Sequence, residues 1–287
     1  MSRAMPKTSH LLIQPNETEF GQRVDVRPED VQPQCPNWRH VGFAVYRLQA
    51  GEVLAQSTED LEHLLVILTG TLTASVAGQD FGSLGSRSDL FGRQPAHALY
   101  VPNGSDWHIT ALTELEVAIC RAPGQGGHPP RTITPQSVPL EERGKGANTR
   151  YVNAIMMEDK DWADSLLVTE VWTPSGNWSS YPSHKHDSDN YPAETYLEET
   201  YYHRLNPKQG FAYQRVYNDD LSLDENIAVK DGDVVLVPEG YHPCGAPYGY
   251  DLYYLNVMAG PLRKWRFTND PNHEWLFMRD GGKKPGE

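Results

Sequence analysis

Apolar runs in this chain are short. Segments rich in Val, Leu, Ile, Tyr and Thr recur along its 287 residues, and each is cut off within a few positions by Gly, Pro, Asn or Asp. Helix signals are sparse, and the pattern is that of an all-β sandwich or barrel. The 24 Gly and 22 Pro fit frequent turns rather than disorder, because apolar segments interrupt them throughout. At this length there is room for one large or two medium domains with sizeable cores.

Two β-rich halves flank a polar, Pro/Gly-rich stretch at 122–130 and a loop-like segment at 141–148. The boundary is expected there, giving an N-terminal barrel over 1–147 and a C-terminal barrel over 148–287, with 131–138 crossing between them as an extended strand. Strands are predicted over 40–48, 64–68, 70–76, 98–101, 108–111 and 114–120 in the first half. In the second they are predicted over 162–173, 178–186, 199–205, 211–218, 226–229, 233–237 and 251–258. Val101-Pro102-Asn103-Gly104 parallels Val237-Pro238-Glu239-Gly240, so the halves read as diverged copies of one barrel. Two such barrels side by side make a bicupin.

Charge and cysteine usage exclude several function classes. A net charge of −13 with no Lys/Arg block argues against a nucleic-acid partner, which needs a basic face. Cys35, Cys120 and Cys244 are widely spaced and odd in number, so they suit a reducing cytoplasm better than a disulfide framework. Cys244 reads as a small buried side chain rather than a ligand. No secretory signal and no membrane span are expected.

The chemistry concentrates in Tyr181-Pro182-Ser183-His184-Lys185-His186-Asp187. On a strand His184 and His186 share one face and can bind one ion together. With 11 His in the chain, chance alone supplies roughly 0.4 His-x-His pairs, so the pair is weak evidence by itself. The order of parts strengthens it: the pair is followed by Glu198-Glu199 and then by Pro238-Glu239-Gly240-Tyr241-His242. A carboxylate and a third imidazole from neighbouring strands complete a mixed N/O site for a divalent transition metal. In the first half Leu61-Glu62-His63 stands in place of the His-x-His pair. His63 and His108 have no partner at metal spacing and read as structural.

Longer stretches carry a family resemblance. The blocks 180–187, 197–204 (Leu-Glu-Glu-Thr-Tyr-Tyr-His-Arg), 210–217, 231–243 and 249–261 resemble the cupin group of uronate isomerases. That group contains 5-deoxy-glucuronate isomerase of myo-inositol degradation and 4-deoxy-threo-hexosulose-uronate ketol-isomerase. The blocks cover most of 178–275, and the first half matches more loosely. The resemblance implies His184, His186, one glutamate and His242 as ligands of zinc, manganese or iron. Counting about eight residues from the carboxylate to the turn at Asn206-Pro207 selects Glu199, with Glu198 as runner-up. Twelve residues separate His186 from Glu199, more than in most cupins, and the insert at 188–192 is expected to be a loop and a lid.

The implied reaction is an aldose–ketose isomerisation of 5-deoxy-D-glucuronate to 2-deoxy-5-keto-D-gluconate. The sequence does not fix the base: Glu199 is a candidate if its second oxygen is free, with Tyr201, Tyr241 and His203 as alternatives. The substrate carboxylate needs a cation, for which Lys185, Arg204, Arg215 and Arg263 lie near the motifs and Arg215 comes first. Gln214 and Asn256 are expected to bind substrate hydroxyls. Aromatic residues at 248–254 with Trp265 and Trp275 are candidates to line a sugar pocket. Competing readings are a cupin dioxygenase and a sugar-binding cupin without turnover. Exposed barrel edges suggest a homo-oligomer.

Overall fold

A computed structural model describes residues 8–280. The chain is nearly all β, and α-helix among the described residues is confined to the short segments Pro28–Val31 and Trp275–Arg279. No helix there is long and apolar enough to cross a membrane.

The first half is built on one long strand, Leu61–Val76, flanked by Leu115–Pro123, His97–Val101, Gln79–Arg87 and Asp106–Ala111. The segments predicted at 64–68 and 70–76 are therefore a single strand. Its register slips between Ile67 and Thr69, beside Gly70. Side-chain alternation explains the run Leu64-Leu65-Val66-Ile67-Leu68. Leu65 and Ile67 face a core enclosed by the first half, with Leu72, Trp107 and Ile119, whereas Leu64, Val66 and Leu68 join a second core that continues into the other half. A strand buried on both faces loses its polar alternation.

In the second half an antiparallel sheet runs in the order Leu12–Ile13, Val234–Val237, Glu198–Asn206, Asp251–Ala259, Leu167–Thr173, Arg150–Met156, Leu140–Arg143. A four-stranded sheet of Trp178–Ser179, Cys244–Gly245, Ala212–Tyr217 and Asp224–Val229 accompanies it, and His184–Lys185 pairs with Thr268–Asn269. Two members of the larger sheet, Leu12–Ile13 and Leu140–Arg143, come from the N-terminal side of the expected boundary. Arg131–Ile133 pairs with His97–Val101 and so stays with the first half.

Buried carboxylates tie the halves together. Glu62, from the first half, accepts hydrogen bonds from the backbone N–H groups of Asp164, Ser165 and Leu166 at 2.8, 2.7 and 2.6 Å. Glu198, from the second, accepts from Arg39, His40 and Val41 at 2.5, 2.7 and 2.9 Å. Register shows that these two are equivalent. His63 lies opposite Val101 as Glu199 lies opposite Val237, each just before the matching Pro-x-Gly turn. Leu61-Glu62-His63 therefore corresponds to Leu197-Glu198-Glu199, not to the His-x-His pair, which corrects the sequence alignment. The Arg87–Glu170 ion pair, at 2.8 Å and almost fully buried, crosses the same interface, as does the 2.8 Å bond from the Tyr202 hydroxyl to Glu116.

Candidate metal centre

Three short segments deliver the imidazoles. His184 sits on His184–Lys185, which is held against the C-terminal tail by pairing with Asn269. His186 follows two positions on, and His242 enters after the turn at Gly240. There φ is +86°, and a Cβ would fall 2.4 Å from the carbonyl oxygen of Tyr217, so only glycine lets the turn approach that strand. The residues between the histidines face away and brace the turn from outside. Lys185 pairs with Asp219, Tyr241 donates to Asp219 at 2.9 Å, and the backbone N–H of Gly240 donates to Asp187 at 2.9 Å.

One ligand atom from each of His184, His186 and His242 lies within 4.8 Å of the others. Glu199 Oε2 stands 3.1 Å from His186 Nε2 and 3.1 Å from His242 Nε2. The Nδ1–H of His186 donates to the Leu197 carbonyl at 3.0 Å, and that of His242 to the Gly240 carbonyl at 2.8 Å. Those bonds fix the tautomers and turn both Nε2 lone pairs toward the carboxylate. Lone pairs facing an anionic oxygen at this separation repel unless a cation lies among them. Ligand atoms ~2.1 Å from a common ion stand ~3.0–3.4 Å apart, which the two 3.1 Å contacts of Glu199 match, and the donor set suits a divalent transition metal in its chemistry.

The electrostatics follow from burial and crowding. Burial, then His242 and His186, hold His184 well below the ordinary imidazole range, in the neutral form that ligates metal. For Glu199 burial acts upward; positive charge at His242 and then His186, whether protons or a shared cation, outweighs it and keeps the carboxyl ionised. Asn256 Nδ2 donates to Glu199 Oε1 at 2.5 Å, while its own oxygen accepts from Thr169 at 3.3 Å. Both carboxylate oxygens are thus engaged. Asn256 holds Glu199 in a fixed orientation.

Tyr201 projects beside His242, with ring centroids 5.7 Å apart, and its hydroxyl meets Ser180 Oγ at 2.9 Å. Burial and then Glu199 push its pKa well above the usual phenol range, so it stays protonated. A cavity of about 70 Å³, lined in part by His184, Glu199, Tyr201, Tyr254 and Asn256, lies against these groups. A larger one of about 350 Å³ adjoins His184 and is walled by Arg143, Arg150, Tyr181, Trp265 and Phe267. That size is within the ~300–1,000 Å³ usual for small-molecule sites.

Several expected site residues lie elsewhere. Arg215 forks onto Asp224 at 2.7 and 2.9 Å on the outer face of its sheet, because alternation turns it away from the inward Gln214. Gln214 is fully buried and spends its oxygen on His203 Nε2 at 2.8 Å, so it serves the interior. Arg204 is paired with Glu116 and Asp231, and Arg263 donates to the carbonyls of Leu166, Lys160 and Met157. Lys185 and Tyr241 brace the turn, as described. The 188–192 insert is exposed and lines neither cavity; the walls come from 143–150 and the tail. Of the aromatic candidates Trp265 and Tyr254 line cavities, whereas Tyr248 and Trp275 are exposed and Tyr253 donates to Glu170. Arg143 and Arg150 were not singled out from sequence. They stand in a stretch that reads as a linker, and no motif marks them.

Fold and site together define a cupin-fold protein with a histidine cluster that could hold a metal ion. Oxalate decarboxylases share the fold. That of Bacillus subtilis, described with Mn(II) centres, superposes with a TM-score of 0.62 at 12% identity, covering 92% of this chain and 80% of that one. The chain belongs to the KduI/IolB family, which it matches over residues 12–276. It is 53% identical to a 5-deoxy-glucuronate isomerase of Geobacillus thermodenitrificans over 86% of this chain and 90% of that one, and 48% identical to that of Bacillus licheniformis over 94% and 100%. An IolB-like protein from Salmonella typhimurium superposes with a TM-score of 0.89 at 49% identity, covering 93% of this chain and 99% of that one.

Proposed function

We propose that this chain is a metal-dependent aldose–ketose isomerase that converts 5-deoxy-D-glucuronate to 2-deoxy-5-keto-D-gluconate in myo-inositol degradation. The observation that carries this is 53% identity, over most of both chains, to a relative of that name. His184, His186, Glu199 and His242 would hold the ion, and zinc, manganese and iron all suit such donors. When bound, a divalent ion supplies Lewis-acid stabilisation of negative charge on the sugar's carbonyl and hydroxyl oxygens.

The proton on the hydroxyl-bearing carbon beside the aldehyde leaves, and one returns to the former aldehyde carbon, so no oxidant or reductant is consumed. In this reading Asn256 fixes Glu199, and Tyr201, protonated and directed by Ser180, donates to the enediolate oxygen. Trp265 and Phe267, 6.2 and 4.9 Å from the His184 ring, keep water from that side. The same reading takes the fold as a bicupin with a metal-free first barrel, the compartment as the cytoplasm and the assembly as a homo-oligomer.

Metal analysis followed by NMR of the reaction in deuterated water tests it. Deuterium at the former aldehyde carbon without oxygen uptake is expected. Oxygen consumption would favour a dioxygenase, ligand binding without exchange a sugar-binding barrel, and full activity after metal removal would exclude the scheme.

A further inference from the structure

A cation stands without a carboxylate at the mouth of the metal centre. Arg150 is half-buried, and among the described residues it forms no ion pair; its Nη1 donates to the Asn148 carbonyl at 3.0 Å. Across the antiparallel ladder it lies directly opposite Arg143. Like charges in register destabilise a sheet, so the pairing needs a compensating role. Burial lowers the Arg150 guanidinium from its ordinary value; Tyr254 opposes this, and Arg143, with a smaller effect, adds to it. Among the described residues Arg143 pairs only with the exposed Glu141, at 2.7 Å.

The backbone is shaped around this group. At Gly144 φ is +82°, and a Cβ would fall 2.6 Å from Arg150 Nη1 and 2.0 Å from the Asn148 carbonyl oxygen. The turn between the two arginines therefore closes onto the guanidinium, which no other residue at 144 permits. Arg143 and Arg150 line both cavities that contain His184, and Trp265 Nε1, a buried donor without a partner among the described residues, borders both. Asp280 also lines the larger cavity but is engaged by Arg279 at 2.8 Å.

We infer that Arg150, with Arg143 opposite it, is the subsite for the carboxylate of an open-chain sugar acid whose carbonyl end lies at the histidine cluster. This deepens the isomerase reading and rests on it for the identity of the acid. A planar guanidinium is suited to a carboxylate, since two parallel N–H groups match its two oxygens. An anion there also neutralises the arginine pair. In a chain of net charge −13, such a local cation overcomes the general repulsion of an acidic substrate.

The test compares an acid with its neutral twin on the metal-loaded, full-length protein. For 5-deoxy-glucuronate, Arg150→Gln is expected to raise KM on the order of 100-fold, with kcat changed much less. The 6-carboxamide should be a poor substrate of the unaltered enzyme, and the substitution should barely affect it. Arg150→Lys should recover part of the loss for the acid. Equal loss for acid and amide, or a KM for the acid that does not move, overturns the proposal. Should Arg150→Gln not fold, the unaltered enzyme decides alone, because parity between acid and amide also overturns it. If the unaltered enzyme turns over neither compound, the isomerase reading fails separately. Calorimetry with gluconate and gluconamide then reads the subsite, and only a preference for gluconate that Arg150→Gln abolishes supports it.

Discussion

At the scale of single residues the centre depends on which nitrogen carries the proton. Carbonyl groups hold Nδ1–H of His186 and His242, so in the neutral rings Nε2 carries the lone pair. His242→Ala should therefore abolish metal retention, measured by elemental analysis, and with it activity, while the first half stays folded by tryptophan fluorescence. A contrasting histidine is His63, the counterpart of Glu199, whose Nδ1 accepts from Trp107 Nε1 at 3.1 Å. Burial, with Arg121 adding to it, pulls its pKa down to about 3. The unfolded chain, with an imidazole near 6.5, thus binds more protons than the folded one between those values, and stability falls as pH drops through that window. Each unit costs up to about 1.4 kcal/mol. Denaturant titrations from pH 6.5 to 4 should show this slope and a shallower one for His63→Gln; equal slopes would remove His63 as its source.

Elements separate what could be read from the sequence from what could not. The metal-site segments were legible because ligation imposes short spacings: His184 and His186 two apart, and His242 just past a glycine turn. Glu199 could be preferred to Glu198 by counting along one strand. Lys185, Arg215 and Tyr241 were misplaced because alternation puts a neighbour of an inward residue outside, and proximity in sequence was taken for proximity in space. Arg150 escaped because its strand, Arg150–Met156, begins directly after a Gly-rich turn, and the charge opposition at its start exists only once Leu140–Arg143 folds back on it. The tail has a similar hidden role, as Thr268–Asn269 is the strand partner of His184–Lys185 and Asp270 accepts from the Tyr217 hydroxyl at 2.7 Å. Truncation after Phe267 is expected to release bound metal and eliminate turnover, with a cooperative thermal transition persisting for the first half. Retained metal would show that the pairing is dispensable.

For the whole molecule, Glu62 and Glu198 matter most. Each reaches across and accepts three backbone N–H groups of the opposite half, from matching register positions. A Glu62→Ala substitution strands three buried donors, the N–H groups of Ser165 and Leu166 and the Tyr100 hydroxyl, and should cost at least about 3 kcal/mol by chemical denaturation. Glu198→Ala should cost a similar amount and, because the next residue is Glu199, should also weaken metal affinity. A change in stability alone would separate the two roles. Reciprocal clasps of this kind are how twin subunits recognise one another across a dyad, here with both partners on one polypeptide. The covalent link between Arg131–Ile133 and Leu140–Arg143 then becomes incidental to assembly. A chain nicked there should remain a working enzyme, and two separately encoded pieces should find each other and regain activity when produced in the same cell.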